Sequence, residues 1–278
     1  MTTTRSTIEH AHAPHVGSGG SGRRRVLALA AAETRLLLRN RTAVMSSVLL
    51  PLAVVAAVGA ITVSNGGTVD GPGLIATAIG VTLTFVTFYN LVTTFVARRE
   101  ERVLQRMRTG ELTDAEVLLG TAVPTLLVTA VQVVLVAVGV VVLGEWSAPV
   151  DVVLPLVALV GGGALMVVLA AVGTSFTRTV EAAQFTTMPL VLTATMLSGL
   201  LIPLSDFPEQ LAQVARFLPL TPVIELSRLG LVGETWDGQV VDTAGAWAAS
   251  PLALAVLAGW VVGGAILARV VFRWAPRR

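Results

Sequence analysis

Six apolar blocks, residues 43–63, 73–96, 117–143, 152–174, 182–204 and 252–272, alternate with polar segments along the chain. About 20 apolar residues cross the hydrocarbon core of a bilayer as a helix, so each block predicts a membrane span. The turns 64–72 and 144–151 contain no arginine, whereas Arg98, Arg99, Arg102, Arg106 and Arg108 follow the second block and Arg178 follows the fourth. This asymmetry puts both termini on the cytoplasmic side of the cell membrane. Arg216 and Arg228 depart from the pattern, in a long segment with six acids that the parity of six spans places outside. The expected fold class is therefore an all-α membrane protein with six transmembrane helices. A soluble core is a poor alternative at 54% hydrophobic and 13% charged residues.

Every basic residue apart from the three histidines is arginine, and the formal charge is +2. Arginine clustered at one membrane face implies anionic lipid headgroups as partners, not nucleic acid. With no cysteine, disulfides and thiolate chemistry are excluded. His10, His12 and His15 lie in a Gly/Ser-rich stretch, and residues 1–22 read as a disordered cytoplasmic tail. Arg23-Arg24-Arg25 before an Ala-rich run imitates a secretory or twin-arginine signal, but Glu33 and Arg35 interrupt it. The expected element over residues 23–41 is instead an amphipathic helix on the inner leaflet, inserting Leu29, Leu36 and Leu37 and turning Arg35 and Arg39 to headgroups.

Apart from Arg269, near enough to the end of span six to snorkel, the spans hold no Asp, Glu, Lys, Arg or His. Ion-coupled carriers keep one near the midplane. Glu181, at the mouth of span five beside Arg178, reads as an interfacial charge or as a gate or coupling residue. Span two carries Gly73, Thr77, Gly80, Thr84, Thr87, Asn90 and Thr94 at helical spacing, span three adds Gln132, and span five adds Gln184, Thr187, Thr195 and Ser198. Two readings stay open for this neutral polarity: helix packing, or a translocation path with Thr84, Thr87, Asn90, Gln184 and Thr187 along it. Gly161-Gly162-Gly163 points to packing or bending, Pro51, Pro124, Pro155 and Pro189 to kinks, and Trp146, Trp236, Trp247 and Trp274 to an aromatic belt.

Two segments outside the spans are more specific. Between spans two and three, Val103, Leu104 and Met107 share one helical side while Arg98, Arg102 and Arg106 repeat on another. Gly110 stops this helix, and Thr113 with Glu116 forms a capping box for the next. Before span six, Pro203 and Asp206-Phe207-Pro208-Glu209 precede a short helix with Leu211, Val214 and Leu218 on one face; Pro219 breaks it and Thr221-Pro222 starts another. Two short helices joined at prolines predict a re-entrant hairpin, the alternative being an ordinary outer loop.

Glu100-Glu101-Arg102-Val103-Leu104-Gln105-Arg106-Met107, continuing through Leu112-Thr113 to Glu116–Gly120, resembles the cytoplasmic segment of type-2 ATP-binding-cassette exporter permeases. Ser198-Gly199, Pro203, Phe207-Pro208, Leu211, Val214 and Leu218-Pro219-Leu220-Thr221 resemble that family's element before the last span. The chain has Arg102-Val103 where the family usually shows Gly-Thr, and Gly110-Glu111 where it shows Thr-Pro. The resemblance implies one transmembrane domain over residues 23–278 that pairs with a second permease subunit as a homodimer. It also implies two copies of a separate ATPase subunit, which would bind ATP and magnesium, so that this chain is no enzyme and holds no cofactor. Glu100, Glu101, Arg102, Leu104, Arg106 and Met107 would form the coupling helix that docks on the ATPase, with the 23–41 helix as a second contact. Pro203, Phe207, Pro208 and Pro219 would belong to an outer gate above a path near spans two and five. A hydrophobic or amphipathic cargo, a drug-like compound or a lipid, suits such spans.

The rivals are an ATP-independent carrier, a structural membrane subunit and a membrane-embedded enzyme. A carrier predicts a buried charge and internal symmetry. An enzyme needs clustered acids, histidines or cysteines, and the outer acids Asp206, Glu209, Glu225, Glu234, Asp237 and Asp242 match no ligand spacing.

Overall fold

The computed structural model describes residues 22–39, 41–64, 70–101 and 113–272. The tail expected over residues 1–22 therefore falls outside them except for Gly22, as do Trp274 and the coupling residues Arg102, Leu104, Arg106 and Met107. The described chain is helical, and its single β pairing is an isolated bridge between Glu234 and Val240.

The first helices are α1, Gly22–Arg39, and α2, Arg41–Ser64. Helix α3, Gly71–Glu100, begins with Pro72 in its first turn, where a missing N–H costs no bond. Helix α4, Asp114–Val142, starts at the capping box read from sequence: Thr113 Oγ1 accepts the Glu116 amide at 3.3 Å, and the Thr113 amide donates to the Glu116 carboxylate at 2.7 Å. Helices α5, Val153–Thr174, and α6, Val180–Leu197, follow, the latter capped by Thr179. Two short helices, α7, Glu209–Ala215, and α8, Thr221–Leu231, precede α9, Thr243–Ala249, and α10, Pro251–Val271.

Among the described residues four helices, α3, α4, α5 and α10, are long and apolar enough to cross a membrane. Helix α2 has 24 residues. Helix α6 has 18, shorter than the apolar block that predicted it, and Glu181, Gln184 and its threonines dilute it. It stops early because Gly199 adopts φ +81°, a left-handed turn that a side chain would strain. Leu200, Leu201 and Ile202 thus lie beyond the helix.

Helix α3 is the hub of the bundle, contacting α2, α4, α5, α6 and α8. Gly162 of α5 permits close approach, since a Cβ there would lie 2.6 Å from Leu83 and 3.2 Å from Val223. The rest of the glycine triplet packs elsewhere: a Cβ on Gly161 would lie 2.8 Å from Leu257 of α10, and one on Gly163 2.9 Å from Leu126 of α4. Pro155 sits in the first turn of α5 rather than at a kink. Inside α3, residues Thr82–Phe88 form a π-helical stretch, which the α-helical spacing of its threonines did not predict. Wider turns change the angle between successive side chains, so the stripe does not stay on one face.

Candidate functional site

Three regions hold the main polar features of the bundle. The first surrounds α8. Although polar at several positions, this helix is buried along nearly its whole length against α3, α5 and α10. Its Glu225 pairs with Arg216 through Nη2–Oε1 at 2.8 Å and Nε–Oε2 at 3.4 Å, and the same guanidinium lies 4.7 Å from the centre of the Trp236 ring. Burial pushes the Glu225 carboxyl above its ordinary value, while the hydrogen bond and charge of Arg216 pull it back. Arg228 pairs with Glu234. Both arginines that broke the sequence pattern thus have local carboxylate partners.

Further bonds pin this region. Thr221 Oγ1 donates to the Ala215 carbonyl at 2.7 Å, Trp260 Nε1 of α10 to the Phe217 carbonyl at 2.8 Å, and the Asp151 amide to the Gly230 carbonyl at 2.8 Å. Pro203 and Phe207 are half-buried and Pro208 is exposed, around the short turn Leu204–Asp206; Pro203 borders a small pocket shared with Glu225, Arg228 and Trp236. On the short α7, Ala212 and Ala215 face inward, while Leu211 and Val214, the latter 66% exposed, point away from the protomer. Half-buried Pro219 lies beside an apolar cleft of about 230 Å³ between α5, α6 and the α7–α8 junction, lined by Met166, Leu169, Pro189, Leu190, Leu218 and Leu220.

The second region is the middle of α3. Thr84 and Thr87 are fully buried. Thr87 Oγ1 meets Thr129 Oγ1 of α4 at 2.7 Å, whereas the Thr84 hydroxyl has no hydrogen-bond partner among the described residues. Asn90 is half-buried. On α6, Thr187 is buried with its hydroxyl returned to the Ala183 carbonyl at 2.8 Å, and Gln184 is exposed. The structure does not bring these five residues to one surface.

The third region, at the other end of the bundle, was missed in sequence. Arg99 is 1% exposed. It donates to the carbonyls of Thr174 at 2.7 Å, Thr177 at 2.5 Å and Arg178 at 3.3 Å. Ser175 Oγ donates to the Val271 carbonyl at 2.8 Å, Thr177 Oγ1 meets Thr186 Oγ1 at 2.8 Å, and Phe95 packs edge-on against Phe272 at 6.2 Å. Glu100 and Glu101, which follow Arg99, are exposed, as is Glu181. In sequence Arg99 was hidden as one of five arginines in a run; it falls outside the four-residue repeat of Arg98, Arg102 and Arg106, and that offset was the available signal.

The family described as ABC-2 type transporter matches residues 24–232, three-quarters of the chain. No curated protein gives a significant match.

Proposed function

Because the chain belongs to the ABC-2 type transporter family, and is thus a multi-pass membrane permease component of an ABC transporter, we propose that it is the membrane subunit of an ATP-driven exporter in the cell membrane. Such permeases normally work with an ATPase partner. In this reading α2 and α6 join the four long apolar helices as six spans, both termini are cytoplasmic, and two copies of the chain pair with two ATPase subunits. Glu100, Glu101 and the residues that follow, with Arg102, Leu104, Arg106 and Met107, form the ATPase contact. The α7–α8 hairpin is re-entrant and closes the outer end.

The apolar cleft beside α6 is the observation that carries the cargo assignment. Its lining, from Met166, Leu169, Leu190 and Leu218 to the rings of Pro189 and Pro219, offers hydrocarbon and ring surface. That supports a hydrophobic or amphipathic substrate, drug-like or lipid. Within this reading Gln184, exposed on α6, and Asn90 face the path between subunits. Thr84, Thr87 and Thr187 act beside it, holding helices in register.

The test is purification of the tagged chain from native membranes in mild detergent after cross-linking, with mass spectrometry of stoichiometric partners and an assay of vanadate-sensitive ATP hydrolysis. A co-purifying Walker-motif protein with hydrolysis is the expected result. Repeated recovery of the chain without an ATPase would overturn the exporter reading.

A further inference from the structure

We infer that Arg99 is the positioning residue that passes motion from the ATPase-contact segment to the turn between α5 and α6; this rests on the exporter reading above. Arg99 is the penultimate residue of α3, immediately before Glu100 and Glu101. Its guanidinium sits at the C-terminal end of α5, where the last carbonyls lack intrahelical donors and the helix dipole is negative. The planar fork of Arg can hold two carbonyls at once in fixed geometry. Here it does so, with Nη1 on Thr174 and Nη2 on Thr177.

The turn it holds is tied to two further helices. Thr177 reaches Thr186 on α6, and Ser175 reaches the last residue of α10. Any displacement of the α3 end either carries these carbonyls with it or unpairs a buried cation, and the second course is costly. Arg99 therefore joins the α3 end to α5 directly and to α6 and α10 through one turn. A lysine could supply the charge but not the fixed two-pronged contact.

The absence of cysteine makes the test direct. Phe176→Cys, at an exposed position of the turn, is labelled with an environment-sensitive fluorophore. The full complex with its co-purified ATPase, in nanodiscs, is then trapped with Mg-ATP and vanadate. With Arg99 present the fluorescence changes on trapping. Arg99→Gln is expected to retain the ATPase within about two-fold while the fluorescence change falls at least about five-fold, and Arg99→Lys to restore part of it. An unreduced change in either variant overturns the inference, as does loss of the ATPase from Arg99→Gln, which would make Arg99 a docking residue. Should Arg99→Gln fail to assemble, Arg99→Lys decides the matter, with at least about a two-fold reduction expected. If the chain bearing Arg99 yields no ATPase, the exporter reading itself has failed.

Discussion

Removing Arg216 should damage this protein more than neutralising the Glu225 it pairs with. The Glu225 side chain is 2% exposed and that of Arg216 14% exposed, so the carboxylate depends on the guanidinium for most of its solvation. At an effective dielectric of about 20, unit charges about 4 Å apart attract by roughly 4 kcal/mol, comparable to the several kcal/mol each ion loses on leaving water. The pair as a whole is therefore near balance. Breaking it from one side is not. Arg216→Ala strands a buried carboxylate and should cost about 3 kcal/mol, including roughly 0.5–1 kcal/mol from the lost Trp236 contact. Glu225→Gln keeps the shape and a hydrogen-bond acceptor while removing the charge, and should cost about 1 kcal/mol. The pH dependence follows from the direction of the shift. Burial raises the Glu225 pKa in the folded chain, so the folded state binds its proton more readily than the unfolded state, where the ordinary value is 4.5. The cost of the stranded charge is then full above the folded pKa and shrinks as pH falls toward the unfolded one. The Arg216→Ala deficit should accordingly be smaller at about pH 5 than at about pH 8. Unfolding in mixed micelles at both pH values, with Trp236→Leu to subtract the ring contact, measures each quantity. A Glu225→Gln loss equal to that of Arg216→Ala, or a deficit independent of pH, would refute the reasoning.

Leu104→Asp and Met107→Asp should each abolish co-purification of the ATPase while leaving membrane insertion intact, as read by pull-down alongside protease protection; retention of the partner in both variants would remove the coupling assignment. Gly230→Ala would set a Cβ 2.2 Å from the Pro155 ring and 2.9 Å from the Asp151 carbonyl. Relieving that overlap should cost about 1–3 kcal/mol, seen as a lower midpoint in thermal unfolding. Thr84→Val should leave stability unchanged or raised, because it removes a buried hydroxyl without a partner among the described residues, whereas Thr87→Val should lose about 1 kcal/mol by leaving the Thr129 hydroxyl without its interhelical contact. Equal effects of the two valine substitutions on the unfolding midpoint would contradict that assignment.

The helical architecture was legible because apolar length is a strong signal, as was the Thr113–Glu116 capping box, a local motif whose partners are three residues apart. Other features depend on neighbours distant in sequence. The π-helical stretch Thr82–Phe88 is a property of how α3 meets the helices around it, so threonines placed by an α-helical wheel landed elsewhere. The outward face of α7 has the same origin. Leu211 and Val214 mark an apolar side correctly, but amphipathicity alone does not say whether that side meets protein or surroundings, and two alanines allow closer contact with the bundle than branched side chains would. Arg99 was obscured for a third reason: a run of arginines invites a surface-charge explanation for all of them, and only the fold separates the one that caps another helix.

The distribution of fixed contacts constrains how a permease of this kind could move. Helix α3 meets the hairpin region at Gly80, where a Cβ would lie 2.4 Å from Ile224 and 2.5 Å from Leu200, and its opposite end is bound through Arg99 to the end of α5. Helix α5 in turn packs along α8 and abuts it closely where Pro155 meets Gly230. Helices α3, α5 and α8 therefore form a closed circuit of contacts spanning the bundle. In a close-packed circuit small displacements at one end are not absorbed locally, because the side chains have no empty volume to enter. Helix α6 is held differently, with its early end joined through Thr186 and an open cleft between its later half and the hairpin. The physical division is thus between a tightly packed α3–α5–α8 unit and a more loosely bounded α6, and on the exporter reading proposed above the opening that admits cargo belongs at their boundary.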